Sequence, residues 1–587
     1  MGQLRTLLPY YKPYWRGLVA GMALVVVSNV FTIIGPFIVK LAIDGLSADL
    51  TRERIVQYAL LLVGAALLAG AARYGMRELL NGISRRIETD LRNNLFLHLL
   101  RLPPQFYDRW RTGDLMSRAT NDVQAVRQVA GPSIMYLVNT ITIGSMALGL
   151  MIWISPRLTL IAMIPMVLMP PLVMWIGKKI NVRFERIQEQ FSEISNFAQE
   201  NLAGIRIVKA YGREADRSEA FADLNAEYRR RNMDLARIWG AFFPILTFMG
   251  GLGSVLVLWI GGQEVIAGRI TVGDYVAFGF YLVLLMWPMI AVGWVTNQIQ
   301  RGAASMGRIN SLLAEPYVID DPDEAISPAA MNGAIEFRDV SFRYPGTERW
   351  VLKNISFRIE PGQTVAVVGG TASGKSTLVG LIPRLYDVSA GGVEVDGVDV
   401  RQMRLEDLRN SVGMVPQEPF LFSMTLRRNL TMEGPEDTEA LQLERALDVA
   451  QLHSTLGVLP DGLDTPLGER GINLSGGQKQ RATIARALYR ETPILILDDS
   501  LAAVDTVTEG AILSGLREFM ANRTAIVVSH RVTAVAGADV ILVLEGGELV
   551  ETGTHAELVA RGGVYTRLLE RQLLEEELER EEREEAV

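Results

Sequence analysis

Two stretches of the sequence carry residue types that could handle phosphate and a divalent cation. The first, "TVAVVGGTASGKSTLVGLI" (364–382), reads as strand, glycine-rich turn and helix. Within it, Gly369-x4-Gly374-Lys375-Ser376 has the spacing of a P-loop. Such a turn aims backbone N–H groups at phosphate oxygens, and the following helix N-terminus adds its dipole. Lys375 supplies a point charge, and Ser376, with Thr377 beside it, supplies hydroxyls. The second stretch, "ILILDDSLAAVD" (494–505), is an apolar run ending in two carboxylates. Asp498 is expected to hold Mg²⁺ through water, with Ser376 as its partner. A solvated strand end is the bland alternative, but a P-loop requires an acid of this kind. The chemistry implied is binding of a nucleoside triphosphate with Mg²⁺.

The elements that position these residues fall into two halves. The chain has 587 residues, too many for one core, and 49% of them are hydrophobic. Mean hydropathy is +0.19, which suggests a membrane portion. A net charge of −8 disfavours a nucleic-acid partner. Without cysteine, a disulfide framework, a thiolate metal site and a cysteine nucleophile are excluded. Six apolar stretches, near 17–43, 55–80, 131–154, 157–177, 241–267 and 274–299, are each long enough to span a bilayer. The segments 81–130 and 178–237 are long, rich in Arg and Lys and helical in pattern. The positive-inside rule places them and the N-terminus in the cytoplasm. Each turns at a breaker, "FYDRWRTGDLMSRATNDV" (106–123) and "KAYGREADRSEAF" (209–221). Each tip reads either as a solvated hairpin or as a short helix resting on another domain. In the first span, Lys40 and Asp44 lie four apart and are expected to pair.

The Pro- and Asp-rich segment 315–334 reads as a linker. Beyond it, "AIEFRDVSFRY", "TVAVVG", "GGVEVDG", "ILILDD", "TAIVVSH" and "DVILVLEGG" read as strands alternating with helices. The expected architecture is an α-helical membrane domain of six transmembrane helices (1–314) with long cytoplasmic extensions. It is fused through 315–334 to an α/β P-loop ATPase domain (335–570). The tail 571–587, with eight Glu and three Arg, reads as a solvated acidic helix or as disordered.

"LSGGQKQRATIARAL" (474–488) resembles the signature sequence of ABC transporter ATPases. The resemblance spans essentially the whole chain, membrane half first, as in half-size ABC exporters of the multidrug or lipid type. It implies that Tyr344 in "FRYPG" stacks on adenine, and that Gln417 in "VPQEPFLF" contacts Mg²⁺ and senses the membrane domain. It implies that "GERG" (468–471) lies near the coupling tips, that Asp505 closes the loop crossing to a partner, and that His530 in "VVSHR" is the switch histidine. The family is a two-chain machine: two ATPase domains close head to tail around two ATP. One chain supplies the P-loop, Asp, Gln and His of each site; the other supplies Ser475, Gly476, Gly477 and Gln478, a second anion cradle at a helix N-terminus. ATP then favours the closed dimer and hydrolysis releases it. Openings of the helix bundle alternate in step.

Three departures stand out. The residue after the Mg²⁺ acid is usually Glu in hydrolytic members, and here it is Asp499, shorter by one methylene. A misplacement of about 1 Å can cost ~10²-fold in rate. Ala372 takes a P-loop position usually held by Gly, and Ala502 replaces a usual Ser. Together they resemble the degenerate-site subunit of a heterodimeric exporter, whose partner carries an intact Glu. The alternatives are a homodimer using Asp499 as a weak base and a non-transporting ATP-gated regulator. Phe242, Phe243, Phe248, Met249, Phe278, Phe280, Tyr281, Met286, Trp287 and Trp294 on the last two spans read singly as lipid contact or packing. As a set they permit an adaptable apolar cavity for drugs, lipids or hydrophobic peptides. The expected location is a bacterial inner membrane, with the ATPase domain and N-terminus cytoplasmic.

Overall fold

The computed structural model describes residues 2–46, 51–432, 440–500, 506–532 and 535–585. They form two compact units. One comprises Met1–Leu100 and Thr112–Glu315; the other comprises Arg101–Arg111 and Pro316–Val587.

The first unit holds six helices long and apolar enough to cross a membrane: Gly2–Leu46, Arg52–Arg101, Thr112–Ile154, Pro156–Ala203, Glu214–Ile266 and Val272–Leu313. Their starts follow local chemistry. The Ser155 hydroxyl accepts the Leu158 N–H just ahead of Pro156. Thr271 and Asp274 form a reciprocal capping box at the last helix. Single π-helical turns at Arg118–Asp122, Val129–Ser133 and Val257–Gly261 interrupt two of the six. Phe278, Tyr281, Met151 and Met166 pack in one apolar core, so two of the aromatics named above serve helix packing. Phe243, Phe248, Phe280, Trp287 and Trp294 face outward.

The expected Lys40–Asp44 pair does not form. Lys40 pairs with Asp274 at 2.6 Å. Asp44 instead accepts the Gly273 N–H at 2.8 Å and the Thr271 hydroxyl at 2.9 Å. The last helix brings exposed N–H donors and a second acid to this point. An (i, i+4) rule within one helix cannot see them.

The first tip is a short helix, Pro104–Arg109, and it groups with the second unit. Phe106 is buried. Arg101 pairs with Asp320 at 3.0 Å and stacks on Tyr317, and the Tyr386 hydroxyl donates to Asp108 at 3.1 Å. The second tip is also helical, Ile205–Ala210, with Ile205, Ile207 and Tyr211 exposed. The linker is not a free tether. The Ile326 N–H reaches the Gln402 carbonyl at 2.8 Å, and Asp396 accepts the N–H groups of Asn332 and Ala334.

The second unit carries two sheets. Strands β1 (Ile335–Phe342), β2 (Leu352–Ile359), β4 (Ala390–Val395) and β5 (Val398–Asp399) form an antiparallel sheet in the order β2-β1-β4-β5. Strands β3 (Thr364–Gly369), β6 (Val412–Val415), β7 (Ile494–Asp498), β8 (Thr524–Val528), β9 (Val540–Glu545) and β10 (Glu548–Gly553) form the other, ordered β10-β9-β3-β8-β7-β6. From β9 to β6 the pairing is parallel. All five residues of β7 are buried, as a parallel sheet covered on both faces requires. The six strands read from sequence are present; β2, β5, β6 and β10 are additional. The helix Val564–Glu585 runs on from the domain into the acidic tail without a break at 571.

Candidate functional site

The register of the parallel sheet delivers the chemistry. β3 ends at Gly369 and β7 at Asp498, with β8 between them, so the P-loop and the acid emerge at the same carboxyl end of the parallel strands. Gly369 has no alternative: a Cβ there would lie 2.2 Å from the Leu544 carbonyl oxygen. Gly374 has φ +99, and its Cβ would meet Leu352 at 2.8 Å. The helix Lys375–Gly380 starts directly behind it.

A cavity of about 710 Å³ opens here, lined by Lys375, Ser376, Thr377, Gln417, Asp498, Asp499 and His530 among others. Lys375 is buried, and its ammonium donates to the carbonyls of Gly369 at 3.0 Å and Gly370 at 2.9 Å. Burial lowers its pKa, against the opposing pull of Asp499 and Asp498. The Ser376 hydroxyl donates to Asp498 at 3.0 Å. Burial raises the Asp498 pKa, and Asp499 adds to the effect while the Ser376 hydrogen bond opposes it. A buried carboxylate in this state, facing a hydroxyl, is an oxygen pair that suits a small hard cation.

Asp499 adopts a left-handed backbone, φ +46, and its N–H is held by the Val528 carbonyl at 2.9 Å. Its carboxylate accepts from the Gln417 amide at 3.4 Å and lies 3.6 Å from His530 Nε2. The residues named from sequence as catalytic therefore meet around one carboxylate. Ala372 also sits in the left-handed region, φ +62, which L-residues other than Asn and Asp rarely occupy. Ala502 and Asp505 lie outside the described residues.

Tyr344 is not among the residues lining this cavity. It is packed edge-on against Phe342 and Tyr386 and lines a neighbouring cavity of about 490 Å³. Its hydroxyl hydrogen-bonds the Thr377 hydroxyl at 3.0 Å, tying the ring to the P-loop helix. The P-loop cavity takes Trp350, Val351 and Lys353 into its wall. No spacing rule finds these three. Sheet contacts bring them in, through Val351 N–H to Phe342 and Lys353 N–H to Gly547, both at 2.8 Å.

Ser475 caps the helix Gly476–Tyr489, and Gln478 completes a capping box with it. Ser475 and Gly476 are exposed. None of Ser475, Gly476, Gly477 and Gln478 is among the residues lining the P-loop cavity. The "GERG" segment is a tight turn, with Arg470 at φ +50 and Gly471 at φ +65.

The chain matches the family model of the ABC transporter transmembrane region over residues 18–289 and that of the ABC transporter over residues 352–502. It is 37% identical over 582 residues to the Multidrug resistance-like ATP-binding protein MdlA of Escherichia coli, covering 98% of each chain. It is 34% identical to an ATP-dependent lipid A-core flippase of Nitrosococcus oceani, over 96% of this chain and 94% of that one. Among solved structures, a bacterial Atm1-family ABC exporter with ATP bound superposes with a TM-score of 0.75 at 27% identity, covering 95% of this chain and 98% of that one. A P-loop and an acid at the carboxyl end of one parallel sheet and six helices long enough to span a membrane fit those relatives. The chain belongs to the ABC transporters, as a half-size exporter: an integral membrane protein whose ATP-binding unit is an ATPase coupled to transport.

Proposed function

We propose that this chain is one subunit of a heterodimeric exporter in a bacterial inner membrane, and that it owns the slower of the two ATP sites. The cargo is hydrophobic or amphiphilic: a drug, a lipid or an apolar peptide. The names of the relatives, multidrug resistance-like protein and lipid flippase, support that class. Mg²⁺ would be held by Ser376 and Asp498 with Gln417 beside them; bound, it supplies charge neutralisation between phosphate oxygens. A second chain suits this reading, since Ser475, Gly476, Gly477 and Gln478 are not among the residues that line this chain's own P-loop cavity.

The observation that carries the slow-site reading is Asp499. A carboxylate one methylene shorter than Glu lies back against Gln417 and His530, at 3.4 and 3.6 Å. Its reach toward a water at the γ-phosphate is shortened, which lowers the rate of proton abstraction. ATP at this site then holds the dimer closed longer than it fuels it.

One observation favours a homodimer with Asp499 as a weak base: Gln417 and His530 both remain beside it. Expression with and without the product of the adjacent reading frame separates the two. The heterodimer reading expects co-purification as a 1:1 complex and a rate that rises on Asp499→Glu. A dimer of this chain alone with normal ATPase turnover refutes it.

A further inference from the structure

The second residue of the acidic C-terminal tail, Gln572, touches the segment that carries His530. We infer that Gln572 is a positioning residue for His530: its side-chain amide holds the backbone on both sides of Arg531 and so fixes where the histidine points. This rests on the reading of His530 as the group facing the ATP site.

Gln572 is carried by the helix Val564–Glu585, whose start is fixed to the domain. The Glu551 carboxylate, from β10, accepts the N–H groups of Val564 at 2.7 Å and Tyr565 at 3.0 Å, neutralising the first orphan donors of that helix. Tyr565 is fully buried, and its hydroxyl meets His555 Nδ1 at 2.6 Å. Leu568 and Leu569 pack into the same apolar cluster as Tyr565, with Val368, Val543 and Val532. Gln572 follows Tyr565 by seven residues, two helical turns, and so falls on the same face.

The segment it meets leaves β8 at Val528. The Ser529 N–H still bonds the Val367 carbonyl of β3 at 3.2 Å. The Arg531 N–H folds back to the Ser529 hydroxyl at 2.9 Å, and the Arg531 guanidinium pairs with Glu509 at 2.7 Å. Beyond this turn, the Val532 N–H donates to Gln572 Oε1 at 2.7 Å, and Gln572 Nε2 donates to the His530 carbonyl. Val532 itself is buried under the helix. The amide thus meets one donor and one acceptor, the pairing a primary amide can satisfy with one planar group. Removing it frees a backbone carbonyl at the residue whose imidazole lies 3.6 Å from Asp499.

The test uses the full chain in its assembled dimer, with Asp499→Glu so that turnover at this site is measurable. Hydrogen exchange of the 529–532 amides is compared in wild type, Gln572→Ala and Gln572→Glu. Loss of one such hydrogen bond speeds exchange about fivefold to tenfold. We expect that rise at Val532 in Gln572→Ala but not in Gln572→Glu, which keeps the acceptor and loses the donor. ATPase kcat should fall about tenfold in both variants, with KM for ATP within about twofold. In a His530→Ala background, Gln572→Ala should cost no further rate. Unchanged exchange at Val532 in Gln572→Ala overturns the inference, as does a rate loss that adds fully to that of His530→Ala. If His530→Ala alone leaves the rate intact, the reading of His530 fails, and the exchange result still reports whether Gln572 holds the segment.

Discussion

The Tyr386 hydroxyl donates to Asp108 at 3.1 Å, while its ring meets the Tyr344 ring edge-on at 5.4 Å between centroids. The short helix Pro104–Arg109 is thereby joined, through two aromatic rings and the Tyr344–Thr377 hydrogen bond, to the P-loop helix. Burial, with the Asp108 carboxylate beside it, pushes the Tyr386 pKa well above its ordinary value, so the hydroxyl stays a donor at any physiological pH. Removing that donor by Tyr386→Phe keeps the ring packing. Transport of a dye into inverted vesicles per ATP hydrolysed should fall about fivefold, the equivalent of roughly one hydrogen bond. The KM for ATP should be unaffected. Asp108→Asn should reproduce the loss, and the double variant should add nothing to it. Full coupling in Tyr386→Phe would rule out this contact as a transmitter.

Asp499→Glu should raise the ATPase turnover of this site in the assembled complex by up to ~10²-fold, because a reach error of about 1 Å can cost that much. The left-handed backbone at Asp499, φ +46, works against the substitution, since Asp tolerates that region better than Glu does. A drop of a few degrees in Tm is therefore expected alongside the gain. Single-turnover measurements with limiting ATP, on a complex whose partner P-loop lysine is replaced, read this site alone.

Ala372→Gly should stabilise the ATP-binding unit. The φ of +62 at Ala372 costs roughly 1 kcal/mol that Gly does not incur. That strain is present before nucleotide binds, so Tm should rise by a few degrees, and the Kd for a fluorescent ATP analogue should stay within about twofold if the bound loop keeps the same conformation. A Kd about fivefold weaker in the variant would mean that binding relieves the strain.

Asp498 gives the nucleotide-free protein a pH signature. Its folded pKa is raised by burial, so between the ordinary carboxylate value and the raised one the folded chain binds more protons than the unfolded chain. Stability contributed by this group is present at the acid end and is lost as pH rises through that window. Thermal unfolding of wild type and Asp498→Asn across the window should show a flatter profile in the variant. With ATP and Mg²⁺ the wild-type slope should also shrink, because a cation offsets the buried charge.

Near the C-terminal end of the first helix, Lys40→Met should destabilise the first unit. Asp274 would keep a largely buried carboxylate, 14% exposed, without its cation. Breaking one side of such a pair costs up to a few kcal/mol. Lys40→Met with Asp274→Leu should recover most of the loss of Tm, whereas Lys40→Met with Asp44→Ala should lose more, since Asp44 caps the last helix.

Much of this molecule was written locally. Gly369, Gly374, Lys375 and Ser376 form a cradle because a strand, a glycine turn and a helix N-terminus follow one another directly in the chain. The six spans announce themselves by length and apolarity, since a bilayer leaves backbone groups no partner but their own helix. Even the Ser475–Gln478 cap is a four-residue rule. Distance along the chain hides the rest. Lys40 chooses Asp274 over Asp44 because the start of another helix arrives with unpaired N–H groups that claim Asp44. Tyr344 lies in an aromatic cluster with Tyr386, 42 residues on, and Trp350 takes the cavity wall. Gln572 reads as one more polar residue at the edge of an acidic tail. Only the packing of Tyr565 and Leu569 into the core brings its amide onto His530 and Val532. The sequence by itself determined where the P-loop forms and which segments are long and apolar enough to cross a membrane, because hydrogen bonding and hydrophobicity act over a few residues. The tertiary structure decided which carboxylate, ring and amide each of those groups meets, because such pairs are set by how whole helices and strands pack.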